Sequence, residues 1–397
     1  MLRSLPPAGS KMRLSKLFSN LLKGLITPGP DCLRNAVASY TKIQNVFLVS
    51  QGRAALTLIL QVLATESQRR KVVVPSYTCY TVPAAVVRAG LQIFPVDIDP
   101  CTLDFDRKRL EEVDPSEILA IVPSNLFGIP NDLSYLETYT KERGIWLVDD
   151  AAQAFGARVD DRMVGTFGKA GFYSLSKGKS FTTLGGGILV TRDEGLANRL
   201  SKTLEAISEL SFVKAFSDIA RLTAYTLFLN PSLYWIVEKM PFLRLGESVF
   251  NPDFRIEEYN DFLSHIGAFL VGEVDRLNRV RRHNAAFLIE RLLNHDKIKV
   301  VSGYERTYPI YTRLPILIRV SASRDRIFGE LSRQKLGASM SYPTSVNEIP
   351  GIGRYLCIDT ANPNGQLVAQ SIITLPTHAF VRKDDLTSII DIIERNV

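Results

Sequence analysis

The feature that most constrains this chain is a run of short apolar segments, alternating with helical patterns, that begins at Phe47 and extends to about Val190. Residues 72–74, 93–96, 118–122, 145–148 and 188–190 are short and almost continuously apolar. Such segments read as strands buried on both faces. Between the first four lie stretches that suit helices, such as 82–89 and 133–142. This alternation implies an α/β domain with a mainly parallel sheet. In such sheets ligands sit at the carboxyl ends of strands, so the loops after the strands are where chemistry is sought.

At 397 residues the length suits two to three domains. A hydrophobic content of 46% with 22% charged residues excludes general disorder. The formal charge of +7 fits an anionic ligand, an anionic membrane or nucleic acid, and chooses none of them. Cys32, Cys79, Cys101 and Cys357 lie far apart with no CxxC pair, so neither a disulfide framework nor a zinc site is expected. A reducing compartment is the simplest reading.

Residues 1–30 hold Arg3, Lys11, Arg13, Lys16 and Lys23 and no acid. Leu14, Leu17, Phe18, Leu21, Leu22 and Leu25 recur at helical spacing, with Lys16, Ser19, Asn20 and Lys23 on the other face. An uninterrupted apolar core is absent, so a cleaved secretory signal is not expected. Such a helix either packs on its own domain, the commoner case, or lies on an anionic membrane through residues 11–25. After Thr191 the pattern turns mainly helical. Residues 222–237 carry no charge, but Asn230-Pro231 breaks them, and they are too short to span a bilayer. A buried helix pair is the expectation. A long helix over about 261–294, strands near 298–301 and 316–320, and a final helix over 386–394 suit a smaller α/β domain. The division is a basic arm (1–45), a large domain (46–255, with an apolar helical insert at about 212–245) and a small domain (256–397).

Four loops carry candidate chemistry. Ser50-Gln51-Gly52-Arg53 opens a helix, where a glycine lets backbone amides approach an anion and Arg53 adds charge; an ordinary helix start fits equally. Asp149-Asp150 follows a buried strand. One acid serves as an N-cap, and the second suits pairing with a protonated heterocycle. Ser174-Leu175-Ser176-Lys177-Gly178-Lys179 leads to Gly185-Gly186-Gly187, a setting that suits a lysine forming a Schiff base with an aldehyde. Tyr77-Thr78-Cys79-Tyr80 follows a strand end and offers a ring for stacking. Together these are the parts of a pyridoxal phosphate site.

At this point the chain resembles the DegT/DnrJ/EryC1/StrS family of sugar aminotransferases, from about Gly52 to His378. The resemblance is carried by Gly52-Arg53-Ala54-Ala55-Leu56, Val74-Pro75-Ser76-Tyr77-Thr78, Pro95-Val96-Asp97-Ile98-Asp99, Leu126-Phe127-Gly128-Ile129-Pro130, Asp149-Asp150-Ala151-Ala152-Gln153-Ala154, Val164-Gly165-Thr166-Phe167-Gly168, the lysine segment and Leu375-Pro376-Thr377-His378. It implies fold type I of the pyridoxal phosphate enzymes. That is a large domain with a mainly parallel seven-stranded sheet flanked by helices, and a smaller C-terminal α/β domain. Position by position, it implies that Lys179 is the Schiff-base lysine and Asp150 the partner of the pyridine nitrogen. Gln153 lies beside the phenolic oxygen, and Gly52, Arg53 and Ser174 bind the phosphate. Tyr80 or Tyr77 supplies the stacking ring, because Cys79 occupies the usual aromatic position. His378 is assigned to the substrate. Asn260 resembles an asparagine that reaches the partner's cofactor phosphate, which requires a homodimer with shared sites. Further departures are Arg53 for a usual Thr, Asn125 for His, Lys169 for Asp and Phe262 for Arg.

The expectation is therefore a cytoplasmic, pyridoxal 5'-phosphate-dependent aminotransferase, peripheral at the inner membrane face if residues 11–25 bind lipid. It takes an amino group from glutamate and delivers it to a keto-sugar nucleotide in polysaccharide or glycoconjugate synthesis. No nucleic-acid partner is expected. The alternatives are a pyridoxal phosphate enzyme with a non-sugar or lipid-linked carbonyl substrate, and a non-catalytic sensor that keeps the fold.

Overall fold

A computed structural model describes residues 3–239, 249–358 and 360–397. Seven strands make the central sheet: β1 (Asn45–Val49), β2 (Lys71–Pro75), β3 (Gln92–Val96), β4 (Ile118–Ile121), β5 (Trp146–Asp150), β8 (Ala170–Ser174) and β9 (Gly187–Thr191). Their order is β1-β9-β8-β5-β4-β2-β3. Only β9 runs against the other six. The apolar runs lack alternation because both faces of each strand are covered. Val73, Leu147, Tyr173 and Ile188 face one core, and Val72, Val74, Val148, Phe172 and Leu189 face the other. The second core is closed by the helices Gly52–Thr65, Thr81–Arg88 and Glu194–Leu204. Beyond the five expected strands, β1 and β8 complete the sheet. Ser174, read as part of a loop, is the last residue of β8.

The helix Ser264–Leu292 is the spine of the molecule. Its first turns, through Ile266, Leu270 and Val274, lie in the large-domain core, while Leu288 and Leu292 lie in that of the small domain. The physical boundary therefore falls inside this helix and not at residue 256. The small domain is the antiparallel sheet β10 (Ile298–Val300), β12 (Arg313–Ile318) and β13 (Ile372–Pro376), with the helices Ser321–Arg333 and Lys383–Asn396. Its middle strand starts and ends earlier than the apolar run at 316–320 suggested. A small sheet of β6 (Arg158–Val159), β7 (Arg162–Met163) and β11 (Thr307–Tyr308) joins the two domains.

The arm is not a separate unit. Leu17 and Leu21 of the helix Leu14–Ile26, and Leu33 and Val37 of the helix Asp31–Thr41, are core residues. Asn20, assigned from sequence to the polar face, is buried, with its Nδ2 donating to the Lys16 carbonyl. The opening residues thread between the domains. Ser4 N donates to the Pro231 carbonyl, Leu5 N to that of Lys335, and Ser10 Oγ to that of Ser180.

The apolar insert breaks where expected. Asn230 caps the helix Pro231–Glu238 after the helix Phe212–Phe228. The charge-free run 222–237 is partly sheathed: Leu222, Leu229 and Tyr234 are buried, while Leu227 is exposed. Phe212, Val213 and Phe216 are 76%, 83% and 54% exposed, and Leu14, Phe18, Leu22, Leu25 and Ile26 of the arm are also exposed. Phe212, Val213 and Phe216 precede the charge-free run and are interleaved with Lys214 and Asp218. The expected insert continues to 245, and its residues 240–245 lie outside the described ones. Among the described residues no helix is long and apolar enough to cross a membrane.

Candidate active site

Six parallel strands end at one edge of the sheet, and the sequence places its chemistry there. β5 ends in two buried acids with different duties. Asp149 is a structural staple: Oδ2 accepts from Gly165 N (2.5 Å) and Phe167 N (3.3 Å), and Oδ1 from Asn125 Nδ2 (2.9 Å). Asp150 turns to the sheet edge. Its Oδ1 accepts from Ala152 N at 2.9 Å and its Oδ2 from Ser124 Oγ at 3.4 Å. No helix follows Asp150, so neither acid is an N-cap; Asp150 uses one oxygen to hold the turn after β5, which leaves the other lightly held. Burial pushes Asp150 up to about 6, against the Ala152 amide, the Lys179 charge and Ser124.

Lys179 lies on the turn from β8 to β9, partly buried, near enough for its charge to act on Asp150. Lys177 is exposed on the same turn. The helix Gly52–Thr65 aims its amino end at Ser174, the last residue of β8. A methyl on Gly52 would meet Ser174 Cβ at 2.7 Å and Oγ at 3.0 Å, so only glycine lets the two segments close into a cradle. Arg53 donates Nε to Gln51 Oε1 at 2.7 Å and rests 4.3 Å from the Phe254 ring centroid.

The rings are arranged differently from expectation. Tyr77 donates its hydroxyl to the Ser341 carbonyl, and Tyr80 shares its own with Thr344 Oγ1 (2.6 Å) and Thr344 N (2.9 Å). Both are anchored to one loop of the small domain. That loop carries Tyr342, which sequence reasoning missed. Its ring lies 5.8, 6.1 and 6.4 Å from those of Tyr77, Tyr80 and Phe127, and its hydroxyl accepts from Gln153 Nε2 at 3.1 Å. Gln153 Oε1 accepts from Phe127 N at 3.2 Å. Tyr342 has φ of 51° directly before Pro343, an unfavourable conformation held by this packing. The Tyr342-Pro343 pair was the only available signal, and it carries no periodicity.

His378 is not part of this cluster. It is wholly buried, and burial lowers its pKa to about 4, so the ring is neutral at pH 7. The Pro6 carbonyl can only accept, so Nε2 donates to it (2.7 Å) and Nδ1 accepts from Phe380 N (3.3 Å). Both nitrogens are used, which corrects the assignment of His378 to the substrate. Asn260 is also buried, and its side chain makes no cap for the helical turn that follows. Its Nδ2 donates to the Ala215 carbonyl at 3.0 Å, and its Oδ1 has no partner among the described residues. The other departures are absorbed locally. Lys169 pairs with Asp193 at 2.5 Å, Asn125 holds Asp149, and Phe262 packs on Phe216.

A model of the DegT/DnrJ/EryC1/StrS aminotransferase family matches residues 19–394. The chain belongs to this family. It is 25% identical over 366 residues to a dTDP-4-amino-4,6-dideoxy-D-glucose transaminase of Shigella dysenteriae, covering 91% of this chain and 88% of that one. It is 30% identical over 164 residues to a pleiotropic regulatory protein of Geobacillus stearothermophilus, covering 41% of this chain and 44% of that one. The chain spans about half the length of the first curated relatives it matches. The fold matches Helicobacter pylori PseC, an aminotransferase involved in pseudoaminic acid biosynthesis, with a TM-score of 0.79 at 14% identity over 99% of both chains. Relatives thus carry both enzyme and regulator names, and the site has to decide between them.

Proposed function

We propose that this protein is a pyridoxal 5'-phosphate-dependent aminotransferase that moves an amino group from glutamate to a keto-sugar nucleotide. The observation that carries the reading is Lys179 and Asp150 at one sheet edge beside the Gly52–Ser174 cradle. A regulator that only keeps the fold has no chemical need for that combination. The cradle and the helix amino terminus suit a phosphate, and Asp150, its second oxygen lightly held, suits a protonated ring nitrogen. The cofactor supplies an electron sink when bound. Lys179 holds it in the resting enzyme. Its amine, when free, would take the proton from the donor's α-carbon and return it as general acid. Asp150 keeps the ring nitrogen protonated. Gln153, fixed by Phe127 and Tyr342, orients the cofactor's oxygen edge.

Reconstitution tests this. Addition of pyridoxal phosphate should give a visible absorption band that disappears with glutamate and returns with the keto-sugar nucleotide. Lys179→Ala should abolish band and turnover, while Lys177→Ala should keep both. The reverse outcome would move the role to Lys177.

The finer proposals concern assembly. We place Asn260 at the partner's phosphate in a C2 dimer, on the strength of its buried, incompletely partnered amide. Asn260→Ala should weaken cofactor binding about tenfold to hundredfold, from the loss of about 1.5–3 kcal/mol in a charged hydrogen bond. Mixing Asn260→Ala with Lys179→Ala subunits should restore activity in part, because one site of the mixed dimer carries neither lesion. A stable monomer with full cofactor occupancy would refute sharing. We also assign the outer face of the helix Leu14–Ile26 to an anionic membrane surface. It presents Leu14, Phe18, Leu22, Leu25 and Ile26 with Lys16 and Lys23, and no acid. Phe18→Ser/Leu22→Ser should abolish sedimentation with vesicles containing phosphatidylglycerol. If the wild type ignores such vesicles and the variant changes oligomer size, the face belongs to a second copy.

A further inference from the structure

The small domain brings to this site one cation that the roles above do not use. Arg313 opens β12, and among the described residues no carboxylate pairs with it. Its Nη1 donates to Ser341 Oγ at 3.2 Å and makes a longer contact to Ser339 Oγ at 3.5 Å. Its Nη2 abuts the lysine turn, where a methyl on Gly178, the residue before Lys179, would meet it at 3.4 Å. Tyr342 stands close by, as do Tyr225 and Tyr234 of the insert, near enough for the guanidinium charge to act on their hydroxyls. The residue is nonetheless partly open. A guanidinium among rings and hydroxyls, with no anion, is costly unless a ligand completes it. Serine hydroxyls accept from the fork without neutralising it, so they fix its direction and leave its charge to the ligand.

We propose that Arg313 is the receptor for the α-carboxylate of the amino donor. A planar fork takes a carboxylate through two parallel hydrogen bonds. The choice of carboxylate over phosphate rests on reach. Arg313 touches the turn that presents Lys179, so the anion it holds lies beside the reacting centre. An α-carboxylate is one bond from the carbon that loses its proton. The diphosphate of a keto-sugar nucleotide is separated from its ketone by the sugar ring. The proposal builds on the aminotransferase reading, and it gives the two half-reactions unequal needs: the donor uses Arg313 and the sugar does not.

The test uses the holoenzyme, with succinate as an unreactive dicarboxylate probe followed by calorimetry, and with the two half-reactions measured separately. Arg313→Gln should lower succinate affinity about tenfold to hundredfold, the range for one hydrogen bond to a charged group. It should raise the KM for glutamate by a similar factor and leave the cofactor band and the KM for the keto-sugar nucleotide in place. Arg313→Lys keeps the charge without the fork and should recover only part of the loss. It also serves if the glutamine variant fails to fold. Unchanged succinate affinity and glutamate KM in both variants would overturn the proposal, as would a raised KM confined to the nucleotide. A wild-type holoenzyme that shows the band but responds to no amino donor would instead overturn the aminotransferase reading.

Discussion

Asp149 and Asp150 are adjacent in sequence, identical in chemistry and opposite in duty, and the difference is testable. Burial pushes the Asp149 carboxyl up to about 7, despite the amides of Gly165 and Phe167. In the unfolded chain the group titrates near 3.9. Between those values the folded chain keeps a proton that the unfolded chain has released, so this group's contribution falls as pH rises from about 4 to 7. Asp149→Asn aims an amide NH2 at groups that are already donors, and should cost about 1–3 kcal/mol at pH 5. The deficit should shrink toward pH 8, because only the wild type bears the growing cost of a buried charge. Urea melts of the cofactor-free protein at both pH values check this; a deficit that widens with pH would show that Asp149 is ionised throughout. At this scale Gly52, Asp150, Ser174 and Lys179 were legible because each follows a strand end or opens a helix. Tyr342 and Arg313 were not, since they arrive from a separate domain through a strained loop and the first residue of a strand. His378 was misassigned because motif order does not show that the opening residues return to occupy both its nitrogens.

Among the elements, the sheet was the easiest to read, since strands covered on both faces announce themselves as continuous apolar runs. The charge-free run 222–237 was harder to read. Absence of charge looks the same in a sequence whether a residue is sheathed by protein or laid open, and within this run Leu222 and Leu229 are buried while Leu227 is exposed. The helix Leu14–Ile26 is seated by a contact that leaves no room. A methyl on Gly24 would run into the Phe262 carbonyl. Gly24→Ala therefore cannot act as the helix-strengthening substitution that propensity predicts. It should lower stability by about 1–3 kcal/mol through overpacking. A thermal midpoint at or above that of the wild type would show that the helix shifts without cost.

The molecule as a whole is closed by its own beginning. Arg3 bonds to Asp385 and to the Phe380 carbonyl, the Pro6 carbonyl accepts from His378, the Gly9 carbonyl from the buried Arg281, and Ser10 reaches Ser180 beside Lys179. Removing the first ten residues should strip Arg281 of that carbonyl and expose the seat of Leu5, whose burial alone is worth about 1.5–3 kcal/mol. The thermal midpoint should fall by several degrees, and cofactor should be retained less well because the lysine turn loses its neighbour. An unchanged midpoint would show that the arm is an ornament. The same stitching sets an order of events during synthesis. Ser10 can meet Ser180 early, but Arg3 and Pro6 are synthesised long before Asp385, Phe380 and His378, so their bonds wait for those residues. The seat of the opening residues beside the lysine turn is complete only then. Cofactor capture accordingly waits for residues 378–385, and a nascent polypeptide stalled before residue 378 should emerge colourless.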